Sequence, residues 1–138
     1  MNNNFIKAKK TYFNNIRFDS TSECRCYQEL LKIYPRTEIK VHVDKKLLSF
    51  PQNYFTNIDF ETPDCYVEFK GNWAFQNRAI ITGLKSTYLL FQNKHYDKPF
   101  LMVINNRRNV PEIKGIKIVK LSQLIGEIND VIHQRIYS

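Results

Sequence analysis

Asp59, Glu68 and Lys70 are the residues whose types and spacing best suit chemistry, and all three lie in the stretch from Asn57 to Gly71. Ile58 and Phe60 alternate with polar neighbours, as do Cys65, Val67 and Phe69, which is the period of strands with one buried face. Between the two runs stands Thr62-Pro63-Asp64, where proline presets φ and aspartate bonds its own backbone, both turn-forming properties. A tight turn centred on Pro63-Asp64 pairs Asp59 with Glu68, Asn57 with Lys70 and Phe60 with Val67. One face of the hairpin is then apolar, and the other carries Asp59, Glu68 and Lys70.

Directly opposed residues on paired strands lie about 4.5–5.5 Å apart at Cβ, and like charges there destabilise a sheet. The facing acids therefore call for a cation. Mg²⁺ suits them, because it takes oxygen ligands and binds through one or two carboxylates plus substrate phosphate oxygens; Mn²⁺ is expected to substitute. Lys70 points to the same face and can hold an attacking water or offset charge on a phosphate. Two acids and a lysine so placed fit metal-dependent hydrolysis of phosphodiesters. Glu68 and Lys70 alone would equally suit a surface ion pair of little energy.

The elements that must position these groups follow from the flanking pattern. A helix is expected from about Thr21 to Tyr34, where Pro35 stops it. Ser20 and Glu23 have capping-box spacing. Glu23 also falls on the helical line of Tyr27, Leu30 and Tyr34, where an unpaired carboxylate is costly, so it is either a cap alone or an acid that reaches the metal. The alternation of Ile39, Val41 and Val43 marks a strand over 38–43, with His42 on its polar side as surface decoration. Residues 45–52 are read as a turn. After Gly71, helical spacing of Ile80, Ile81, Leu84, Tyr88 and Phe91 predicts a helix over about 76–94. Phe100 to Ile104 is read as a buried strand, Ile113 to Leu121 as another strand, and Leu121 to Ile136 as an amphipathic helix.

The chain has 138 residues, enough for one domain with a real core. With 43% hydrophobic and 25% charged residues it has the balance of a soluble globular protein. No apolar run approaches the roughly 20 residues of a membrane span, and the first residues lack the apolar core of a signal peptide; the expectation is a cytoplasmic protein with no membrane partner. Cys24, Cys26 and Cys65 form no Cys-x-x-Cys and have no histidine spaced to complete a zinc site, so they are read as reduced and mostly buried. The net charge of +8 favours polyanions, nucleic acid above all.

Glu23 on a helix, then Asp59, then Glu68-Phe69-Lys70-Gly71 followed by Asn72-Trp73 and a helix, resembles the PD-(D/E)-x-K nuclease superfamily. Within it the chain is most similar to the phage-type endonuclease I, Holliday junction resolvases of T-odd phages, over roughly residues 18–105. The resemblance implies an α/β fold, a restriction-endonuclease-like mixed central sheet with an α-β-β-β-α-β core flanked by helices, to which a C-terminal strand and helix are added. It implies Asp59, Glu68 and Glu23 as metal ligands, the Phe69 carbonyl as an additional one, and Lys70 as the catalytic lysine. Homodimers with exchanged segments, branched DNA as substrate, and a phage origin with action in the host cytoplasm are implied in the same way. The family's aspartate often follows proline, and here the literal pair is Pro63-Asp64. Asp64 would lie roughly 13 Å along the strand from Glu68, so Asp59 is read as the ligand and Asp64 as turn former.

The expected organisation is a single nuclease domain over 1–138, with a basic arm over 1–18, a core over 19–105 and a C-terminal strand and helix over 106–138. Lys7, Lys9, Lys10 and Arg17 in the arm, Arg78 and Lys85 on the helix after the hairpin, and Arg107 and Arg108 after a strand end are candidates for phosphate contact, or else solvated faces. The function expected is a Mg²⁺-dependent, structure-specific DNA endonuclease. Its alternatives are a nicking, end-processing or transposition-linked nuclease of the same superfamily, and a non-catalytic basic nucleic-acid-binding protein.

Overall fold

The computed structural model describes residues 10–44, 57–76, 78–79, 81–83, 85, 98–108, 110–113 and 116–137. Lys7, Lys9, the turn expected over 45–52 and much of the helix expected over 76–94 lie outside the described residues.

Residues 11–18, expected as part of a basic arm, instead form an antiparallel hairpin of β1 (Thr11–Phe13) and β2 (Ile16–Phe18). Phe13 pairs with Ile16, leaving Asn14 and Asn15 as the loop at φ 51° and 63°. Left-handed φ at both central residues is what a two-residue hairpin turn demands, and asparagine tolerates it. Phe18 is fully buried, and Phe13 and Ile16 pack against the same core, so the hairpin is anchored by its apolar face.

Helix α1 (Thr21–Leu31) begins at Ser20, whose hydroxyl accepts the Glu23 N–H at 3.0 Å. It ends three residues earlier than expected. The chain still turns tightly to Tyr34, with Ile33 N–H and Tyr34 N–H both on the Leu30 carbonyl at 3.0 and 2.9 Å, before Pro35 breaks the winding. A short 3₁₀ turn over Arg36–Glu38 leads into β3 (Lys40–Asp44).

Next come β4 (Asn57–Glu61), β5 (Tyr66–Phe69), a 3₁₀ segment over Asn72–Gln76, β6 (Phe100–Ile104), β7 (Lys117–Lys120) and, after a 3₁₀ turn, α2 (Leu124–Tyr137). The described residues from 78 to 85 are helical. Strands β3 to β7 form one mixed sheet in chain order: β3, β4 and β5 are antiparallel, and β5, β6 and β7 are parallel. The protein is thus mixed α/β with a five-stranded mixed sheet flanked by helices. Among the described residues no helix is long and apolar enough to cross a membrane.

Helices α1 and α2 cover one face. Cys26, Tyr27 and Leu30 of α1 and Leu124 and Ile128 of α2 share a core with Phe60, Val67, Leu101 and Val103. The other face holds Val43, Ile58, Tyr66, Phe75, Phe100, Met102 and Ile104. Every residue of β6 is buried, as expected of a central strand covered on both sides.

The turn between β4 and β5 is as the sequence predicts. Thr62 N–H donates to the Cys65 carbonyl at 2.9 Å, and the Thr62 hydroxyl accepts from the N–H groups of Asp64 and Cys65 at 3.2 and 3.0 Å. Asp64 does more than form the turn. Its Oδ2 accepts the Tyr34 hydroxyl at 2.6 Å, and its Oδ1 pairs with Arg135 of α2 at 2.5 Å, so one carboxylate ties the hairpin tip to the ends of both helices. Asp64→Ala should lower stability by about 1–2 kcal/mol, read as a lower urea midpoint at unchanged slope, because Tyr34 and Arg135 lose a common partner.

Candidate active site

The ladder between β4 and β5 pairs Phe60 with Val67 and Glu61 with Tyr66, the predicted register. One step further stand Asp59 and Glu68, and there carboxylates replace carbonyls as acceptors. Asp59 N–H donates to Glu68 Oε1 at 3.1 Å, and Phe69 N–H donates to Asp59 Oδ2 at 2.8 Å. The two acids are thereby locked across the strands, each by a backbone donor from the other strand. Lys70 Nζ lies 3.6 Å from Glu68 Oε2.

Glu68 and Glu23 are buried, at 4% and 7% exposure, and Asp59 is partly buried. Desolvation, then the charge of Glu68, then that of Glu23 push the Asp59 carboxyl well above the ordinary carboxylate range. Glu68 is also raised, by desolvation first, with Lys70 opposing the rise. Both carboxyls therefore hold a proton more tightly than a solvated acid would, and a cation between them would relieve the same repulsion.

Glu23 comes from α1. Its N–H satisfies the Ser20 cap while its carboxylate turns elsewhere: Oε1 lies 3.0 Å from His42 Nε2. The cap thus uses only the backbone of Glu23, and its side chain contacts β3. The helix reaches the acids because the strands switch faces beside them. Val41 and Phe60 pack on the helix-covered face, whereas Val43 and Ile58, two residues along each strand, pack on the other. His42 and Asp59 lie at this switch, and His42 adopts φ 54°. The α1 N-terminus is also tied to the end of β6, where Asn105 Nδ2 donates to Ser22 Oγ at 3.3 Å.

His42, read from the sequence as surface decoration, is thus part of the cluster. The hydrogen bond to Glu23 raises its pKa, helped by the charges of Glu23, Asp19 and Glu68 and opposed by desolvation. The signal available in the sequence was register: pairing Val41 with Phe60 sets His42 beside Asp59.

The structure therefore sets Asp59, Glu68 and Lys70 side by side, with Glu23 near enough for its charge to act on both acids. Phe69 lies between Glu68 and Lys70, its side chain in the helix-side core and its N–H on Asp59. Arg107 and Arg108 are exposed at the end of β6, which runs parallel to β5 and so ends at the same edge. Asn72, two residues past Lys70, donates to the carbonyls of Asn106 and Arg108 at 2.8 and 3.0 Å, closing the two loops on each other. Arg107 spends one donor on the Ile118 carbonyl at 3.0 Å. Lys10, Arg17, Arg78 and Lys85 are exposed; Arg17 pairs with Tyr12 on the N-terminal hairpin and has no bond to the acids.

Asp59 and Glu68, with the carboxylate of Glu23 acting on both, offer the oxygen donors that a hard divalent cation takes. Among the described residues no three such side chains already stand at ligating distance; the backbone N–H groups instead hold Asp59 and Glu68. The three cysteines are free and buried. Compared with protein-family models, with curated proteins and with solved structures, the chain matches none.

The protonation of the pair has a measurable sign. An acid whose folded-state pKa is raised holds its proton longer in the folded chain, so stability falls as pH climbs from the ordinary carboxylate pKa of about 4 toward the folded value. The raised pKa of His42 acts in the same sense above about pH 6.5, where the unfolded chain has already lost that proton. In a chelator, the melting temperature should drop as pH is raised from about 5 to about 8, and Asp59→Asn should reduce the drop and melt higher than wild type at the upper pH. Mg²⁺ should restore the wild type and leave Asp59→Asn nearly unchanged, as followed by thermal denaturation.

Proposed function

We propose that the chain is a Mg²⁺-dependent endonuclease that hydrolyses DNA phosphodiester bonds, with branched DNA of the Holliday junction type as its preferred substrate. The observation that carries this reading is the interlocked Asp59–Glu68 pair on adjacent strands, with Lys70 3.6 Å from Glu68 Oε2. Such a site at the edge of a basic protein suits a polyanion whose reacting group is a phosphate.

In this reading Asp59, Glu68 and Glu23 hold one or two Mg²⁺ ions, with the Phe69 carbonyl as an additional ligand and Mn²⁺ able to substitute. The bound ion would supply Lewis acidity, acidifying the attacking water and neutralising the departing oxygen. Lys70 orients that water and offsets charge on the scissile phosphate. The backbone bonds to Asp59 and Glu68 fix the direction of their remaining oxygens, so little reorganisation of the acids is needed when an ion binds. Arg107 and Arg108, at the same sheet edge, contact flanking phosphates. Lys10, Arg17, Arg78 and Lys85 extend the basic surface, so binding should weaken steeply with salt. The reading carries with it a restriction-endonuclease-like arrangement in which α1 and β3 to β6 form the core and β7 and α2 are additions. It also carries a homodimer, since two cuts across a junction need two sites.

The test is cleavage of a four-way junction, a fork and a plain duplex side by side with Mg²⁺ or Mn²⁺. Paired symmetric nicks confined to the junction are expected from a dimeric resolvase. Equal cutting of all three substrates would remove the preference for branches and leave a general nuclease. Lys70→Ala should lose cleavage by about a hundredfold or more while still shifting the junction in a gel. If wild type cuts no DNA under these conditions yet binds it, the carboxylates are structural and the protein is a nucleic-acid-binding module.

A further inference from the structure

We infer that His42 is a positioning residue that holds the Glu23 carboxylate in the acid cluster, an inference that deepens the nuclease reading and rests on it. Three observations converge on this role.

The first is the contact itself. His42 Nε2 and Glu23 Oε1 lie 3.0 Å apart, and the Glu23 side chain is 9% exposed while that of His42 is 38% exposed. A buried carboxylate needs a donor. The usual local donor in a capping box is the N–H of the cap residue, but here the carboxylate turns across to β3 instead.

The second is the backbone. His42 adopts φ 54°, a left-handed conformation that costs a non-glycine residue free energy and persists only where the surroundings impose it. In a regular strand His42 would point away from the face of Val41, which is the face covered by α1. The left-handed residue turns the ring to the helix side and lets Val43 drop to the opposite core. A merely decorative histidine would give no reason for this distortion in the middle of a paired strand.

The third is support from behind. The His42 ring meets Phe18 edge-on at 6.0 Å, and Phe18 is fully buried against Tyr27 and Phe60, at 5.3 and 6.3 Å. Phe60 is the residue next to Asp59. The imidazole thus lies between Phe18 and Glu23, which gives its contact with the carboxylate a fixed direction. An ordered chain runs from the β1–β2 hairpin through Phe18 to His42, and from there to the third acid. Groups placed like this behind a metal ligand commonly change ion affinity or activity by about 10–100-fold when removed.

The experiment is a double-mutant cycle on the full chain: wild type, His42→Ala, Glu23→Gln and the pair together. His42→Gln serves as the variant that keeps a side-chain donor. Two readouts are taken, the Mn²⁺ affinity from the loss of free-ion EPR signal and the Mg²⁺ dependence of junction cleavage. His42→Ala should weaken Mn²⁺ binding about tenfold or more, and the pair should be no worse than Glu23→Gln alone. His42→Gln should recover most of the loss. In NMR spectra of the ion-free protein, Glu23→Gln should move the His42 ring resonances.

Strictly additive losses in the cycle would overturn the proposal, as would His42 resonances indifferent to Glu23→Gln. If wild type binds Mn²⁺ with the expected coupling but cuts no DNA, the nuclease reading fails and the role of His42 stands. If wild type cuts DNA while the cycle is additive, the reverse holds. A chain that binds no divalent ion overturns both.

Discussion

Two carboxylates that face each other across paired strands are the constraint around which this molecule is arranged. At Asp59 and Glu68 the sheet sets like charges side by side where packing strips water from them, and nothing apolar can compensate for that. The strands respond by turning backbone N–H groups on the acids, one from each side. That response stops the regular ladder at Phe60 and Val67. It also fixes the acids rigidly, because each is held by a main-chain atom that the rest of the sheet positions. Lys70, 3.6 Å from Glu68 Oε2, offsets part of the remaining charge.

The kink beside this pair solves a geometric problem. Helix α1 packs on the apolar face of the hairpin, so a side chain from the helix should be separated from acids that project from the opposite face. A switch of faces at His42 and Asp59 removes the separation, at the cost of a left-handed histidine. The same switch lets β3 and β4 contribute to both cores, Val41 and Phe60 to one and Val43 and Ile58 to the other. Strain at His42 is therefore offset by packing on two sides of the sheet and by a hydrogen bond to a buried acid.

How much of this was legible in the sequence depended on whether the signal was local. The period of two around Pro63-Asp64 set the hairpin register, because a slip by one residue would expose Phe60 and Val67. The apolar run of β6 and the stripe of α2 were equally plain. The face switch was not, since the alternation of Ile39, Val41 and Val43 looks regular in one dimension and only the antiparallel partner reveals the turn at His42. The ties of Asp64 to Tyr34 and Arg135 join residues far apart in the chain and leave no local pattern. The N-terminal hairpin is a different matter. Thr11-Tyr12-Phe13 and Ile16-Arg17-Phe18 around Asn14-Asn15 carry a hairpin signature, which the density of basic residues in the same stretch obscured. Where the candidate acids meet was readable from spacing; what holds Glu23 among them was not.

Charge is the remaining link between fold and proposed function, and its two scales oppose each other. At long range the excess of +8 attracts a polyanion. At short range Glu23, Asp59 and Glu68 would repel the same phosphates that the surface draws in. Position resolves the conflict. Arg107 and Arg108 rise from the end of the strand beside β5, and Asn72 binds their loop to the one that follows Lys70, so cations rim the edge at which the acids lie. A backbone phosphate held by that rim, as the proposed function requires, would approach the carboxylates only with a positive charge between them. In the proposed enzyme that charge is the divalent ion, and ion and phosphate would then strengthen each other's binding, because each neutralises what makes the other unwelcome.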